Sequence, residues 1–452
     1  MVASDQQQAF RRTPNGGEFS PPLAAVAAAV QNAVREQPVW DLHTHLYPPT
    51  FGTPQSGGSA AADPRGLMLW GVDELLTYHY LVAEVFRVVP ASQLPYDDFW
   101  RMSKREQADH VWKHLFLERS PISEACRGVL TTLTRLGLDP STRELDSYRR
   151  WFAEHDPDQH IDRVMEIAGV SRITMTNAVF DDNERTRWLK DPHVGADSRF
   201  AGVLRFDPLL CDWPAAAAKL REWGYSVDAK LDDRGVTEAR RFLVEWIDRV
   251  SAIYCAVSLP PDFRYEGADD GRDSSAVFHK VVLPVLAERD MPLAMMIGSK
   301  RGVNPALRDG GDMGGLADVA SVARLCADFP RNRFLCTMLA RENQHELAVA
   351  ARKFGNLMVF GCWWFVNNPS LIDEITRMRV ELLGTSFIPQ HSDARVLDQL
   401  IYKWDHSRAT IAQVLIEKYA DLAATGWQPT NNEIRRDVRL FFHDNFANFV
   451  HR

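Results

Sequence analysis

The chain has 452 residues, which exceeds the usual size of one compact core, so either two domains or one barrel with a large insertion is expected. Apolar residues make up 45% and charged residues 25%, and no stretch approaches the ~20 unbroken apolar residues that a membrane helix requires. The net charge of −8 is modest, and acidic and basic residues are interleaved. We therefore expect a small-molecule partner, with neither nucleic acid nor membrane as a partner.

The six cysteines are dispersed, and none has the close CxxC spacing of a zinc or redox site. Buried free thiols in a reducing cytoplasm are therefore expected. The N-terminus lacks the charged-then-apolar order of a secretory signal, which also favours a cytoplasmic protein. Ser20, Pro21 and Pro22 begin an alanine-rich stretch and predict a helix packed on the outside of the domain, within an N-terminal helical segment over residues 1–36.

Short β-rich runs alternate with stretches that are long enough for a crossover helix. This alternation predicts βαβ units and a parallel sheet, and a (β/α)8 TIM-like barrel explains the number of runs better than an open sheet. The barrel is assigned to residues 37–66 and 164–452, although its second strand cannot be located from the sequence. The predicted strands are Val39–Leu42, Ser171–Thr176, Phe200–Phe206, Ile253–Val257, Pro292–Ile297, Arg333–Met338 and Leu357–Gly361.

Residues 67–163 have the pattern of almost continuous helix and predict a helical insertion after the first strand, covering the active site. Apolar residues recur there at positions i, i+3 and i+4 in Val72–Val89, Pro95–Phe116 and Ile122–Leu136. The preceding stretch Gly52–Ala62 is rich in glycine and small residues, which predicts a mobile loop. The predicted fold class is therefore α/β, a barrel with a helical insertion.

A motif of metal-binding type follows the first predicted strand. His43 and His45 are two residues apart, so they project to the same side of a strand and can bring two imidazoles to one metal ion. Two unrelated loop histidines would give the same pattern. The motif alone leaves both interpretations open.

A second motif, His391-Ser392-Asp393-Ala394-Arg395, lies near the end of the chain. The first and last strands of an eight-stranded barrel are neighbours, so an acid at the end of the last strand would lie beside the histidine pair. Asp393 can then supply a carboxylate ligand, and Arg395 can face the same pocket and bind an anion. In isolation, the Asp-x-Arg pattern would indicate only a solvated ion pair.

Together with the run Phe360–Phe365, these residues resemble the uronate isomerase family of the amidohydrolase superfamily. The shared features are the His-x-His motif, the pair His79-Tyr80 in the predicted insertion, Arg205-Phe206-Asp207 after a middle strand, a Trp-Trp-Phe run and the terminal Ser-Asp-x-Arg. They occur in the family's order. The resemblance covers most of the chain, from about residue 37 to residue 450.

The resemblance implies one divalent metal ion of the zinc class, held by His43, His45 and Asp393. It also implies two groups of residues around a small anionic substrate. The catalytic candidates are His79, Tyr80 and Asp393. The substrate-binding candidates are Arg205, Arg301, Trp364 and Arg395. Whether the chain assembles into a homo-oligomer is left open by the sequence.

The sequence also departs from the family, because Met296 stands where the family carries a histidine in the sixth strand. Ile253–Pro260 and Pro292–Gly298, taken as the fifth and sixth strands, contain no histidine, which predicts a mononuclear metal site. The predicted function is aldose–ketose isomerisation of a uronate or a similar sugar acid. The alternative is a metal-dependent hydrolase or decarboxylase that acts on a different small carboxylic acid. A non-enzymatic binding module would leave the co-occurring motifs unexplained.

Overall fold

The computed structural model describes residues 21–54, 63 and 65–451. Ser20, the predicted cap of the first helix, lies outside these residues, as does most of the stretch predicted to be a mobile loop. Across the described ranges, no helix is both long and apolar enough to cross a membrane.

Parallel strands in chain order form the central sheet. The seven that the described residues contain are β1 Val39–Thr44, β2 Val170–Ala178, β3 Phe200–Arg205, β4 Cys255–Leu259, β5 Leu293–Ile297, β6 Phe334–Met338 and β7 Leu357–Val359. Each of the predicted strands overlaps one of these. A short antiparallel hairpin, in which Ser299–Lys300 pairs with Met313–Gly314, follows β5.

An extended segment between β7 and β1 closes the sheet into a barrel. On one side, the amide of Gly361 donates to the carbonyl of Ile388 at 2.8 Å. On the other side, the amide of Asp393 donates to the carbonyl of His43 at 3.2 Å, and the amide of His45 donates to the carbonyl of Ala394 at 2.7 Å. This segment occupies the eighth strand position of the barrel.

The prediction that the second strand was the missing one is therefore wrong. The run Ser171–Thr176 is the second strand, because β2 pairs directly with β1, and the irregular position is the eighth. Pro389 lies inside the eighth segment and has no N–H to donate, which explains why no strand pattern was visible there. The two histidine-free runs are consequently the fourth and fifth strands, and β6 also lacks histidine.

Helices surround the barrel and connect its strands. In chain order they are α1 Pro21–Glu36, α2 Val72–Leu76, α3 His79–Val88, α4 Tyr96–Arg101, α5 Lys104–Val111, α6 Glu124–Arg135, α7 Leu145–Ala153, α8 Pro157–Ala168, α9 Asp182–Lys190, α10 Asp207–Cys211, α11 Trp213–Glu222, α12 Asp233–Arg249, α13 Asp273–Val277, α14 Leu283–Glu288, α15 Val319–Asp328, α16 Gln344–Ala351, α17 Pro369–Leu383, α18 Gln399–Ala424, α19 Asn431–Arg439 and α20 Asn445–Val450. Turns of 3₁₀ or π helix occur at Pro49–Phe51, Trp112–Leu117, Pro140–Thr142, Phe278–Val282, Pro305–Gly311, Arg341–Asn343, Trp364–Val366 and Leu440–Asp444.

Helices α2 to α8 form the insertion between β1 and β2, but two of the stretches predicted as continuous helix are broken. The first breaks between α2 and α3, where Tyr78 has an extended backbone with ψ of 142°. The second breaks before α5, where the side chains of Ser103 and Glu106 each accept a hydrogen bond from the other's backbone amide. This reciprocal cap satisfies amides that would be unpaired at a helix start, and it therefore favours a new helix there.

Apolar side chains fill the barrel interior, so the barrel is a packed core and not a pore. Trp40 lies near the start of β1, and its ring contacts Phe446 of α20 edge to face at 4.9 Å. Tyr254, just before β4, contacts the same phenylalanine at 5.9 Å. Because α20 covers the amino ends of the strands, the carboxyl ends are left for a binding site, as in other barrels of this kind.

Candidate active site

Two imidazoles and one carboxylate meet at the carboxyl end of β1. His43 Nε2 lies 3.6 Å from Asp393 Oδ1, and His45 Nε2 lies 3.4 Å from the same oxygen. One ligand atom from each of the three residues falls within 4.8 Å of the others. The sequence motifs that lie furthest apart in the chain are thus brought together.

The donor atoms of this cluster have the chemistry that a metal ion requires. His43 Nε2 and Asp393 Oδ1 are buried and make no hydrogen bond with any described residue. The other ring nitrogen of His43 lies 3.3 Å from the hydroxyl of Thr176, which can hold the ring so that Nε2 faces the cluster. A buried polar atom without a partner is costly, and a bound cation would remove that cost. The cluster therefore fits a metal ion, and its three ligands leave a coordination position open.

Electrostatics favour the same protonation states that metal binding needs. Burial lowers the pKa of His43 well below its ordinary value and lowers that of His45 to about 4, so both rings are neutral at neutral pH. Burial acts to raise the pKa of Asp393, but the imidazole of His45 at 3.4 Å and the neighbouring imidazoles outweigh it and hold that pKa well below its usual range. The site thus presents two neutral nitrogens and one carboxylate.

Asp41 links β1 to the loop that carries Asp393. Its Oδ1 accepts hydrogen bonds from the amides of His43 at 3.4 Å and Ser392 at 3.2 Å, and its Oδ2 accepts one from Trp404 Nε1 at 2.8 Å. Asp393 itself has a left-handed backbone with φ of 52°, which a residue with a side chain adopts only when its surroundings impose it. The carboxylate ligand is therefore held in place by its neighbours.

The loop after β7 forms one wall of the site. Gly361 has φ of 62°, and a Cβ at this position would lie 1.8 Å from His391 Nδ1, so only glycine fits there. Trp364 also has a positive φ, of 50°. The His391 ring centre lies 5.5 Å from that of His43, and both ring nitrogens of His391 are buried with no hydrogen-bond partner among the described residues. This wall of the site therefore packs directly against the cluster of His43, His45 and Asp393.

A cavity opens above the cluster. Every residue that the sequence assigned to the site lines this cavity, with the exception of Tyr80. Four further residues line it that were not assigned there, namely Tyr78, Ser258, Met296 and Trp363. The residues that the resemblance implied thus lie, for the most part, in one continuous pocket.

The three arginines of the cavity differ in how their charge is balanced. Arg205 makes a bidentate ion pair with Asp207, whose Oδ1 also accepts from the amide of Ser258 at 2.8 Å. Arg301 pairs with the buried carboxylate of Asp312 and lies 5.6 Å from the centre of the Trp364 ring.

Arg395 makes a single ion pair of 3.1 Å with Asp309, and the Asp309 side chain is 70% exposed to solvent. Such an exposed pair exchanges readily with water, whereas the bidentate pair of Arg205 is held from both sides. Arg395 is therefore the arginine whose charge is most available to an incoming anion.

The two residues predicted to transfer protons, His79 and Tyr80, lie in different surroundings. His79 lies in the cavity wall, where burial and the nearby charge of Arg395 lower its pKa to about 3. Tyr80 is partly buried, and its hydroxyl is enclosed without a hydrogen-bond partner among the described residues. Burial raises the pKa of Tyr80 well above its ordinary value. At neutral pH, the ring of His79 is therefore neutral and the hydroxyl of Tyr80 is protonated.

Lys403 lies behind this wall on α18 and was not identified from the sequence. It is 4% exposed, and its ammonium makes no hydrogen bond or ion pair with any described residue. The Nζ atom lies 5.8 Å from the ring centres of Tyr80 and Tyr402. A lysine within a 26-residue amphipathic helix gives no signal of its own, because most such lysines are exposed.

The closed barrel and the open cluster of two imidazoles and a carboxylate at its carboxyl end define the amidohydrolase class of barrel enzymes. No protein-family model matches the chain, and no curated protein does, but solved structures match it over nearly its whole length. A uronate isomerase from Bacillus halodurans C-125 is 50% identical, with a TM-score of 0.89, over 96% of this chain and 98% of that one. The chain therefore belongs to the uronate isomerase family.

Two more distant structures share the fold. A uronate isomerase from Thermotoga maritima is 16% identical with a TM-score of 0.72, over 94% of this chain and 97% of that one. A glucuronate isomerase from Caulobacter crescentus is 16% identical with a TM-score of 0.70, over 95% of each chain. At such low identity, the likeness concerns the fold alone.

Proposed function

We propose that the chain is an aldose–ketose isomerase of a hexuronate, with one divalent ion of the zinc class held by His43, His45 and Asp393. The observation that carries this proposal is one cavity in which a cluster of metal-ligand type lies beside three arginines and a neutral imidazole. The 50% identity to a uronate isomerase along nearly the whole chain supports the substrate class. The six free cysteines, five of them buried, support a reducing compartment such as the cytoplasm.

Arg395 binds the carboxylate of the open-chain sugar acid. Its guanidinium can exchange the exposed carboxylate of Asp309 for that of the substrate, which makes a charge-assisted hydrogen bond in a site with less water. Arg205 stays paired with Asp207 and presents its remaining N–H groups to substrate hydroxyls. Trp364 provides an apolar wall, against which the carbon chain of the sugar packs.

The isomerisation moves one proton from C2 to C1 of the substrate and a second from the C2 hydroxyl to the C1 carbonyl oxygen, so the mass is unchanged. His79 accepts the proton from one carbon and returns it to the other, because its neutral imidazole faces the cavity. Tyr80 is the second candidate for proton transfer, from a position behind the wall. When bound, the metal ion supplies Lewis-acid stabilisation for the negative charge that develops on a substrate oxygen.

Product analysis tests the proposal. The metal-loaded protein is incubated with glucuronate, galacturonate and a panel of unrelated small acids, because Met296 lines the cavity and can shift the substrate preference. We expect a ketose product of unchanged mass and, in deuterated water, exchange of the transferred hydrogen or a slower reaction of substrate deuterated at C2. A product that has gained water or lost carbon dioxide would reject the isomerase and support the hydrolase or decarboxylase.

A further inference from the structure

Tyr78 lies in the cavity wall, one residue before His79. The break between α2 and α3 produces this placement, because Tyr78 precedes the first turn of α3 with an extended backbone. Tyr78 and His79 both line the cavity, whereas Tyr80, which follows inside the helix, does not. A continuous helix through this segment would not give two successive side chains this direction.

The hydroxyl of Tyr78 is unpaired although the residue is 9% exposed. It makes no hydrogen bond with any described residue. Burial raises the pKa of Tyr78, so the hydroxyl remains protonated and is a donor at neutral pH. The charged groups that act on it are Arg395, Asp393 and Asp309. Tyr78 therefore lines the same cavity as Arg395, the arginine whose ion pair is the most exposed there.

We propose that Tyr78 is a substrate-binding residue, whose hydroxyl donates a hydrogen bond to the carboxylate that Arg395 binds. The inference rests on the proposed function, from which it takes a sugar acid as the ligand. The protonated hydroxyl of Tyr78 adds a directional hydrogen-bond donor to the positive charge of Arg395 in the same cavity. Together, the two groups favour a carboxylate over a neutral hydroxyl. Tyr78 would thus set both affinity and the orientation of the substrate.

Binding of D-glucarate to the metal-loaded full chain, measured by calorimetry, tests this inference. Glucarate is a sugar dicarboxylate without an aldehyde, so its binding does not depend on turnover. Tyr78→Phe should weaken glucarate binding about tenfold to a hundredfold, the usual loss for a hydrogen bond to a charged group. The melting temperature should not fall, because the hydroxyl has no protein partner to lose.

Two tyrosines of the insertion provide matched controls. Tyr96 packs on Phe86 at 4.4 Å between ring centres and is absent from the cavity wall, so Tyr96→Phe should leave glucarate binding within about twofold of wild type. Tyr80→Phe should also retain glucarate affinity, since Tyr80 does not line the cavity. If Tyr80→Phe weakens binding and Tyr78→Phe does not, the inference is overturned.

A double-mutant cycle assigns the group that Tyr78 contacts. If Tyr78 and Arg395 hold the same carboxylate, the losses from Tyr78→Phe and Arg395→Met should be less than additive. The losses from Tyr78→Phe and Arg301→Met should add, because the Arg301 guanidinium pairs with Asp312 and lies over Trp364. Strict additivity with Arg395→Met would overturn the shared carboxylate.

The outcomes separate this inference from the proposed function. If wild type isomerises no uronate but binds glucarate with an affinity that depends on Tyr78, the proposed reaction is rejected and the inference stands. If Tyr78→Phe binds glucarate as tightly as wild type, the inference is overturned whatever the isomerase activity. Failure of wild type to bind glucarate overturns the inference as well.

Discussion

The barrel end and the helical insertion build opposite sides of one cavity in different ways. At the barrel end, Asp41 accepts a hydrogen bond from the amide of Ser392, next to Asp393. Asp393, one of the three residues of the metal-type cluster, has a left-handed backbone conformation. The insertion contributes consecutive side chains from the start of a short helix, and it docks on the hairpin loop after β5 through Trp100, whose Nε1 donates to Ala306 at 2.8 Å. The barrel end is held by hydrogen bonds among its own residues, whereas the position of the insertion depends on how its helices pack against the barrel. Metal binding and proton transfer should therefore respond differently to mutation.

The largest expected effect concerns the barrel end. Replacing both His43 and His45 by Ala should abolish metal binding and activity, because one carboxylate alone cannot hold a zinc-class ion tightly. Metal analysis of the purified protein should fall from about one ion per chain to none. His345→Ala, at an exposed position on α16, is the control and should keep its metal. A wild-type content near two, or full occupancy in the double variant, would contradict the ligand assignment.

The next effect concerns the insertion. His79→Asn should lower turnover by about 10²–10⁴-fold, the usual range for loss of a general base, while metal content stays unchanged. Tyr80→Phe should cost less, because Tyr80 does not line the cavity. Steady-state kinetics together with metal analysis provides the measurement. Loss of metal in His79→Asn would show that the two sides of the cavity are not independent.

The metal-free protein should lose stability in acid. Burial lowers the pKa of His45 and His391 to about 4, below the ordinary value of 6.5, so the unfolded chain takes up protons in this range before the folded chain does. The free energy of unfolding should therefore fall as pH drops from about 6.5 towards 4, by up to about 1.4 kcal/mol per pH unit for each such imidazole. Urea unfolding between pH 7 and 5 measures this slope.

The contribution of His391 to this pH dependence can be measured by comparing two histidine variants. His391→Asn should reduce it, whereas the exposed replacement His345→Asn should leave it unchanged. Equal slopes in wild type and His391→Asn would mean that His391 takes up protons equally in the folded and the unfolded protein, so that burial does not lower its pKa. Adding the metal ion should not flatten the slope, since an imidazole bound to metal in the folded protein takes up no proton while the unfolded chain still does.

The smallest expected effect concerns Lys403 behind the wall. A buried ammonium without an acceptor is costly, and burial lowers its pKa, so Lys403→Met should raise the free energy of unfolding by roughly 0.5–2 kcal/mol. Lys418→Met, further along α18, removes ion pairs with Glu381 and Asp421 and should change stability by less than about 0.5 kcal/mol. The midpoints of denaturant-induced unfolding measure these changes in stability. A lower midpoint for Lys403→Met would indicate that the charge of Lys403 has a structural role.

Features carried by local pattern were predictable from the sequence. The seven regular strands, the spacing of His43 and His45 and the placement of Asp393 beside them all follow from strand periodicity and from the neighbourhood of first and last strands in a barrel. The eighth strand position was missed, because a segment containing Pro389 is held by contacts with β7 and β1 and has no strand pattern of its own.

Features that depend on docking were not predictable. Tyr78 was missed because Val72–Val89 has the apolar spacing of one helix, and the break before His79 is not visible in that spacing. Arg205 was assigned to the substrate, and it lines the cavity, but its bidentate pair with Asp207 is a fact of tertiary geometry. Lys403 lies near Tyr80, behind the cavity wall, only through the packing of α18 against the insertion.

The closure of the barrel has a consequence for how the chain folds. The backbone hydrogen bonds that join the eighth position to the end of β1 are made by His43, His45, Asp393 and Ala394, and three of these four residues form the metal-type cluster. These segments lie far apart in the chain, since Ser392 and Asp41 are separated by 351 positions. Contacts across such a long loop carry a high entropic cost and form slowly. The nascent chain therefore lacks the complete cluster of His43, His45 and Asp393 until its last strand position docks, and a metal ion bound there would stabilise this long-range contact.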